Sequence, residues 1–328
     1  MNKQLRRLGK SEIYVSPIAL GCWPIAGVTS IDVNEADNIA TIEAALESGI
    51  NFFDTAHIYG YDGESEKLLG RILKPHRESV VIATKGGLHW DSNRGQVKDA
   101  SPDRLRGECE ESLRRLQTSH VDLLYLHAPD PKIQLRESAA ELYRLMEEGK
   151  TKAVGLSNAT VAQMEEFSSE CPLAAIQPPY NMLQRDIEQD AIPWCLRTGT
   201  AVASYWPLMK GLLAGALRRD HQFDPRDGRK KYPIYQGEEW RRNQDFVDRV
   251  RKVAEAAGKT VAQVVLNWTI HRPGIVAALA GAKRAHQARD NAGAMGWRLA
   301  DEHEAELERA IQERGPVDNR PAVRAEER

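Results

Sequence analysis

The sequence predicts a closed (β/α)8 barrel, and three observations predict it. Eight short apolar runs alternate with amphipathic stretches along the 328-residue chain. The runs are apolar on both sides, as strands of a parallel sheet covered by helices must be. An open, doubly wound sheet would carry a GxGxxG turn after its first strand, and here only Gly21 follows that run.

The elements follow in order. Residues 3–15 hold two short runs around Leu8-Gly9-Lys10-Ser11, which predict a hairpin plugging the bottom of the barrel. The strands are Ile18-Ala19-Leu20, Phe52-Phe53, Val80-Val81-Ile82-Ala83, Val121-Asp122-Leu123-Leu124-Tyr125-Leu126, Ala153-Val154-Gly155-Leu156, Ala174-Ala175-Ile176, Ala201-Val202-Ala203 and Ile275-Val276-Ala277-Ala278-Leu279. A helix over 39–48 stops at Gly49, and one over 137–148 stops at Gly149. Ser101-Pro102 opens another as N-cap and first helical residue, with Leu105, Leu113 and Leu116 on its buried stripe. Helices over 161–169, 187–197 and 244–257 follow, and Asp301 with Glu304 predicts a capping box on the last. The long charged segment 214–243 is expected to be functional or mobile. One domain over 1–314 and a flexible tail over 315–328 complete the expectation.

Composition narrows the function. The chain is 41% hydrophobic and 28% charged, with a net charge of −2, so it predicts a globular protein without the basic face of a nucleic-acid binder. The cysteines, Cys22, Cys109, Cys171 and Cys195, show no CxxC spacing, which predicts reduced, buried thiols and no metal site. No apolar run approaches the roughly 18 residues of a membrane span. The N-terminus has no apolar core of a signal peptide, so the cytoplasm is the expected compartment.

The chemistry lies where the strands end. Asp54, Lys85 and His127 close the second, third and fourth runs, and Tyr59 follows Asp54 in a loop. Barrel enzymes carry their sites on this face. Lys85 at the end of a buried strand needs a counter-ion, which Asp54 supplies. Lys85 is then expected to lower the Tyr59 phenol toward neutrality and make it a general acid for a developing alkoxide, with His127 orienting the substrate oxygen. That is machinery for reducing a carbonyl or oxidising an alcohol.

Other strand ends suit a cofactor. Ser157, Asn158 and Gln177 match a carboxamide, although Ser157 alone reads equally as a helix N-cap. Tyr205 either stacks on a nicotinamide ring or packs internally. Lys283 and Arg284, with Gln287 and Asn291 at a helix start, either clamp a phosphate or form a solvated turn. The basic stretch 226–231 is either a solvated loop or a lid over the cofactor.

These residues belong to a longer ordered set: Leu8-Gly9-Lys10-Ser11, Asp54-Thr55-Ala56 with Tyr59-Gly60, Ser65-Glu66-Lys67-Leu68-Leu69-Gly70, Thr84-Lys85, Leu126-His127, Gly149-Lys150, Gly155-Leu156-Ser157-Asn158, Gln177-Pro178-Pro179-Tyr180-Asn181 and Gly281-Ala282-Lys283. In these the chain resembles the aldo-keto reductase superfamily, in its bacterial branch. The resemblance implies a barrel binding extended NADP(H), hydride transfer to an aldehyde or ketone, and a catalytic tetrad of Asp54, Tyr59, Lys85 and His127. It implies amide contacts at Ser157, Asn158 and Gln177 and a stacking ring at Tyr205. The implied cofactor surface also takes in Gly21, Cys22 and Trp23; Trp206, Pro207, Leu208, Lys210, Gly211 and Leu213; and Gly281, Ala282, Lys283, Arg284, Gln287 and Asn291. Trp23 and Trp90 are expected at the substrate mouth with Tyr59 and His127, and Trp206 is expected to narrow it. The adenosine-phosphate pattern of vertebrate relatives is replaced by Gly281-Ala282 and Gln287, with the basic residues moved to Lys283 and Arg284. The expected ligand is a small carbonyl or sugar. Two alternatives stand: a sugar or alcohol dehydrogenase running in reverse, and an NADP(H)-binding sensor subunit with little turnover.

Overall fold

A computed structural model describes residues 5–317. Eight parallel strands close into a barrel: β1 (Ile18–Gly21), β2 (Phe52–Asp54), β3 (Val81–Gly86), β4 (Val121–Leu126), β5 (Thr151–Ser157), β6 (Leu173–Gln177), β7 (Ala201–Tyr205) and β8 (Ile275–Gly281). Each pairs with its neighbour in sequence, and β8 returns to β1 with Leu279 opposite Ala19. Each of the eight predicted runs falls on one strand, except that Val80 precedes β3.

Alternation along each strand divides the core in two. Outward residues such as Ile18, Leu20, Ile82, Leu124, Val154 and Val202 pack under the helices. Inward residues such as Ala19, Phe52, Ala83, Leu123, Tyr125, Ala153, Ala175 and Ala203 fill the barrel. The many inward alanines leave room for the Tyr125 ring. Gly155 is required beside it, since a Cβ there would lie 2.3 Å from that ring.

The bottom is closed as expected. Arg6–Arg7 pairs antiparallel with Tyr14–Val15, and the connecting turn drops Leu8 into the barrel core. Gly9 has φ +59°, and a Cβ there would meet the Ala174 carbonyl at 2.3 Å. The turn therefore needs glycine for both its conformation and its close approach.

The helices are α1 (Glu35–Glu47), α2 (Glu64–Leu73), α3 (Pro102–Leu116), α4 (Leu135–Glu147), α5 (Val161–Ser168), α6 (Ala191–Thr198), α7 (Gly237–Ala257), α8 (Val261–Ile270), α9 (Ala285–Ala292) and α10 (Asp301–Arg314). Several differ from expectation: α1 starts four residues before residue 39, and α6 starts at Ala191 instead of residue 187. α7 starts seven residues early, at Gly237 instead of residue 244. α8 is buried on every side, so it shows no amphipathic stripe to read from the sequence. Asp301 does not cap α10: Ala300 is the N-cap, without a side-chain bond. Capping boxes form instead at Thr160/Gln163 on α5 and Thr260/Gln263 on α8.

Segment 214–243 is not an open loop. Short 3-10 turns at Gly228–Lys231 and Pro233–Tyr235 bury Ile234 and Tyr235. The Tyr235 hydroxyl donates to the Lys210 carbonyl at 3.0 Å, and Arg226 reaches Asp32 at 3.3 Å. The segment is a strap joining the β7 and β1 sides of the upper rim. Residues 315–317 sit against α7, because buried Arg314 donates to the Pro316 carbonyl at 3.0 Å and to Asn243. The rest of the expected tail, 318–328, lies outside the described residues, as do residues 3 and 4 of the predicted hairpin segment. Among the described residues no helix is long and apolar enough to cross a membrane. All four cysteines are buried and free.

Candidate active site

Barrel register brings the strand ends together. Asp54 on β2 lies opposite Gly21 of β1 and Ala83 of β3, two residues before Lys85. The Lys85 ammonium donates to Asp54 Oδ1 at 2.6 Å and to the Thr55 carbonyl at 2.7 Å. Gln177, from across the barrel, donates to Asp54 Oδ2 at 2.8 Å. Both ions are buried, so each requires the other: an unpaired charge here would be costly.

Tyr59 and His127 lie above this pair and are half-buried. Their ring centroids are 6.1 Å apart, and Lys85 Nζ is 4.9 Å from the centre of the Tyr59 ring. Burial lowers the His127 imidazole well below its ordinary range, and the Lys85 charge adds to this. His127 is thus a neutral ring, fit for hydrogen bonding. Burial also raises Asp54, against the pull of Lys85.

The Tyr59 phenol departs from expectation. It is raised well above its ordinary value, by burial first and then by Asp54 and Cys22. Lys85, 4.9 Å from the ring centre with its ammonium bonded to Asp54 and Thr55, does not offset these effects. The phenol therefore keeps its proton, which is the form a general acid requires.

A chain of bonds leads from this pair to the predicted carboxamide contacts. Beyond Gln177, Ser157 Oγ donates to the Gln177 carbonyl at 2.8 Å. Asn158 Nδ2 donates to Ser157 Oγ at 3.1 Å and to the His127 carbonyl at 3.0 Å, and the Tyr205 hydroxyl donates to Asn158 Oδ1 at 2.9 Å. The N-cap of α5 is Thr160, so Ser157 does not serve as a cap. Asn158 adopts φ +56°, a conformation asparagine tolerates and most residues do not.

The β7 and β8 ends carry the cations. Trp206, Met209, Lys210 and Gly211 all have positive φ, giving a sharply turned backbone from Pro207 and Leu208 to Gly211. Lys210 Nζ lies 3.3 Å from the Trp206 ring centre and 4.5 Å from that of Tyr232, and burial with Lys231 pushes its pKa down to about 7. Lys283 is lowered by burial and by Arg229. Among the described residues neither lysine has a carboxylate within 4.0 Å. Gln287 accepts from the Lys283 backbone N–H at 2.8 Å, at the start of α9, whose N-cap Arg284 makes no side-chain capping bond. The Arg284 guanidinium is engaged elsewhere, with the Asp32 carbonyl at 2.7 Å and Asp37 at 3.4 Å. Gly281 and Ala282 bring β8 to this turn, and buried Asn291 donates to the Gly281 carbonyl at 3.4 Å. Cys22 and Leu213 are fully buried, and the Cys22 thiol is close enough to raise the Tyr59 phenol.

The mouth is aromatic. Trp23 meets Tyr59 edge-on at 5.0 Å. Trp90 donates its indole N–H to the carbonyls of Ile58 and Gly60 at 2.9 and 3.1 Å. Trp206 contacts Tyr205 and Lys210, on the far side of the rim. The sequence reading missed Tyr61, 5.2 Å from Trp90, and the hairpin Leu88–Trp90/Gln96–Lys98 that carries Trp90. It also missed the charged inner face of α3. His57 beside Asp54 was the available signal, since a buried imidazole needs partners. Among the described residues no cluster suits a metal ion.

The barrel sets a buried Lys–Asp pair under a tyrosine and a histidine, groups able to hold and move a proton. The chain belongs to the aldo/keto reductase family, whose model matches residues 17–312. It is 35% identical over 298 residues to aldo-keto reductase YhdN of Bacillus subtilis (strain 168), covering 90% of this chain and 89% of that one. It is 31% identical over 306 residues to probable aldo-keto reductase 1 of Glycine max, covering 93% and 88%. Among solved structures, the glycerol dehydrogenase AKR11B4 from Gluconobacter oxydans superposes with a TM-score of 0.89 at 35% identity, covering 98% of this chain and 99% of that one. Aldo-keto reductase AKR11C1 from Bacillus halodurans, a holo form, shares the fold with a TM-score of 0.78 at 24% identity, over 98% and 100%.

Proposed function

We propose that this oxidoreductase is an NADP(H)-dependent carbonyl reductase with Tyr59 as its general acid. The observation that carries the reading is the buried Lys85–Asp54 pair beneath Tyr59 and His127, linked through Gln177 to Ser157 and Asn158. The residues fit a phosphorylated dinucleotide. Lys210 and Lys283 lack carboxylate partners within 4.0 Å among the described residues, and α9 begins without a side-chain cap. Lys283 would hold the 2′-phosphate, while Ser157, Asn158 and Gln177 would hold the carboxamide beside Tyr205. The nicotinamide, when bound, supplies the hydride that the protein lacks.

The chain's own residues do the rest. His127, neutral, donates a hydrogen bond to the substrate oxygen and orients it. Tyr59 keeps its proton until charge develops on that oxygen, and then gives it up. Lys85 stabilises the resulting phenolate, and Asp54 keeps the ammonium in place. Trp23 and Trp90 wall the mouth and exclude water. The free, buried cysteines support a cytoplasmic setting, and the site chemistry supports a small carbonyl or sugar as ligand.

The glycerol dehydrogenase likeness favours a second reading, polyol oxidation by the same groups in reverse. NADPH consumption with a panel of aldehydes, beside NADP+ reduction with polyols and sugars, separates the directions. Tyr59→Phe is expected to lower turnover about a thousandfold while NADPH binding stays nearly unchanged. Wild-type activity in the variant would remove Tyr59 from the mechanism. Cofactor retained through purification with no turnover on either panel would favour the sensor-subunit reading.

A further inference from the structure

Asp54, Lys85 and His127 are placed by strands, whereas Tyr59 stands five residues beyond β2 on a loop, and something else must aim it. The inner face of α3 touches that loop. Arg104, Glu108, Glu111 and Arg115 recur at spacings of four, three and four, which puts them on one side of the helix. That side faces the protein. Arg115 donates to the His57 carbonyl at 3.0 Å and pairs with Glu66 at 3.2 Å and Glu111 at 2.8 Å. Glu111 holds His57 Nε2 at 2.9 Å.

Glu108 is the centre of this face and is 2% exposed. Its Oε2 accepts the Gly87 backbone N–H at 2.6 Å, where β3 ends, and its Oε1 accepts from Arg104 at 2.7 Å. The same Oε1 lies 3.7 Å from His57 Nδ1 and 3.7 Å from His89 Nδ1. Both Nδ1 atoms are buried and have no other partner. His57 precedes Tyr59 by two residues, and His89 precedes Trp90 on the hairpin Leu88–Trp90. Trp90 in turn closes the circuit by bonding the carbonyls of Ile58 and Gly60.

We infer that Glu108, with His57 and His89, is a positioning centre that ties the Tyr59 loop to the Trp90 hairpin and so sets both the aim of the proton donor and the width of the mouth. The geometry supports it. One oxygen of Glu108 faces both unpartnered Nδ1 atoms at 3.7 Å, while the other fixes the Gly87 backbone. Burial raises the Glu108 carboxyl, against the pull of the donors around it. A glutamine at 108 keeps the Gly87 acceptor but sets its amide NH2 where Oε1 accepts from Arg104, so it restores part of the tie, whereas alanine restores none. The inference rests on Tyr59 as the proton donor.

The test compares Glu108→Ala, Glu108→Gln and His89→Leu in the full chain, by steady-state kinetics and by amide exchange of segments 55–61 and 86–99. Glu108→Ala is expected to lower kcat about a hundredfold, to leave the NADPH dissociation constant within about twofold, and to speed exchange in those two segments but not in β5–β7. Glu108→Gln, which keeps the Gly87 bond, is expected to restore slow exchange in segment 86–99 and part of kcat. His89→Leu, which frees only the hairpin, is expected to raise the carbonyl KM about tenfold with a small change in kcat. Glutamine as defective as alanine, or wild-type kinetics in the alanine variant, overturns the inference. Should the alanine variant not fold, a wild-type KM in His89→Leu overturns it equally. A wild type inactive on every carbonyl and polyol would sink the proton-donor reading, while the exchange data would still decide the clamp.

Discussion

Two sectors of one rim are built on opposite plans. In the β2–β4 sector the charges are buried and committed to each other: Lys85 to Asp54, Glu108 to Arg104, Arg115 to Glu66. In the β7–β8 sector they sit on loops, and the lysines there, Lys210 and Lys283, face rings, arginines and open rim instead of carboxylates within 4.0 Å among the described residues. The first plan suits groups that must hold position while a proton moves. The second leaves positive potential for a ligand to neutralise. The comparison teaches that chemistry and affinity are separable here, and variants should separate them.

The largest effect is expected from breaking the committed sector. Lys85→Met removes the cation that stabilises a phenolate, and turnover should fall about a thousandfold with NADPH affinity nearly kept. It also strands Asp54, at a cost of about 3–5 kcal/mol. The pH dependence has a definite sign. Asp54 is raised from 3.8 even with its partner present, and without Lys85 it rises further. The folded variant then holds a proton that the unfolded chain has lost, so its stability falls as pH rises above about 4. Thermal melts of variant and wild type should converge toward acid pH and separate toward neutrality. A gap that does not change with pH would mean that Asp54 finds another cation.

A smaller effect, and of the opposite kind, is expected from the open sector. Lys283→Ala should weaken NADPH by about 2 kcal/mol, about thirtyfold, with kcat at saturation and NADH affinity nearly unchanged. Arg284→Ala should weaken NADPH only about threefold, because its guanidinium already serves Asp32 and Asp37. Titration of both cofactors against both variants measures this. Equal losses for NADPH and NADH would place Lys283 away from the 2′-phosphate.

The same division governs what could be read in advance. Asp54, Lys85 and His127 were legible because each ends an apolar run, and barrel closure then places them together. The proton affinity of Tyr59 was not, because it depends on burial and on Asp54 and Cys22, which only packing reveals. Charges at 104, 108, 111 and 115 look like a solvated face; their partners, His57, His89 and Gly87, come from other elements. α8 was hidden by uniform burial, and the strap 214–243 by its 3-10 turns, which follow no period. Strand-borne groups follow from pattern, whereas loop-borne groups depend on contacts the pattern does not encode.

Lys210 tests the boundary between the two sectors. It sits on the open side, yet it is partly enclosed, with its ammonium over Trp206 and Tyr232 and its pKa pushed down to about 7. Below that pH it is a cation, and above it a neutral amine. A dinucleotide phosphate nearby favours the cation, so binding should take up a proton. The affinity for NADPH is then expected to fall as pH rises from about 7, by no more than about tenfold per pH unit, until the bound protein's own pKa is passed. Lys210→Met should give a weaker profile of affinity against pH that is flat near 7, measured by fluorescence titration between pH 6 and 9. A flat wild-type profile would group Lys210 with the committed charges, as an ammonium held by aromatic faces and out of reach of the cofactor.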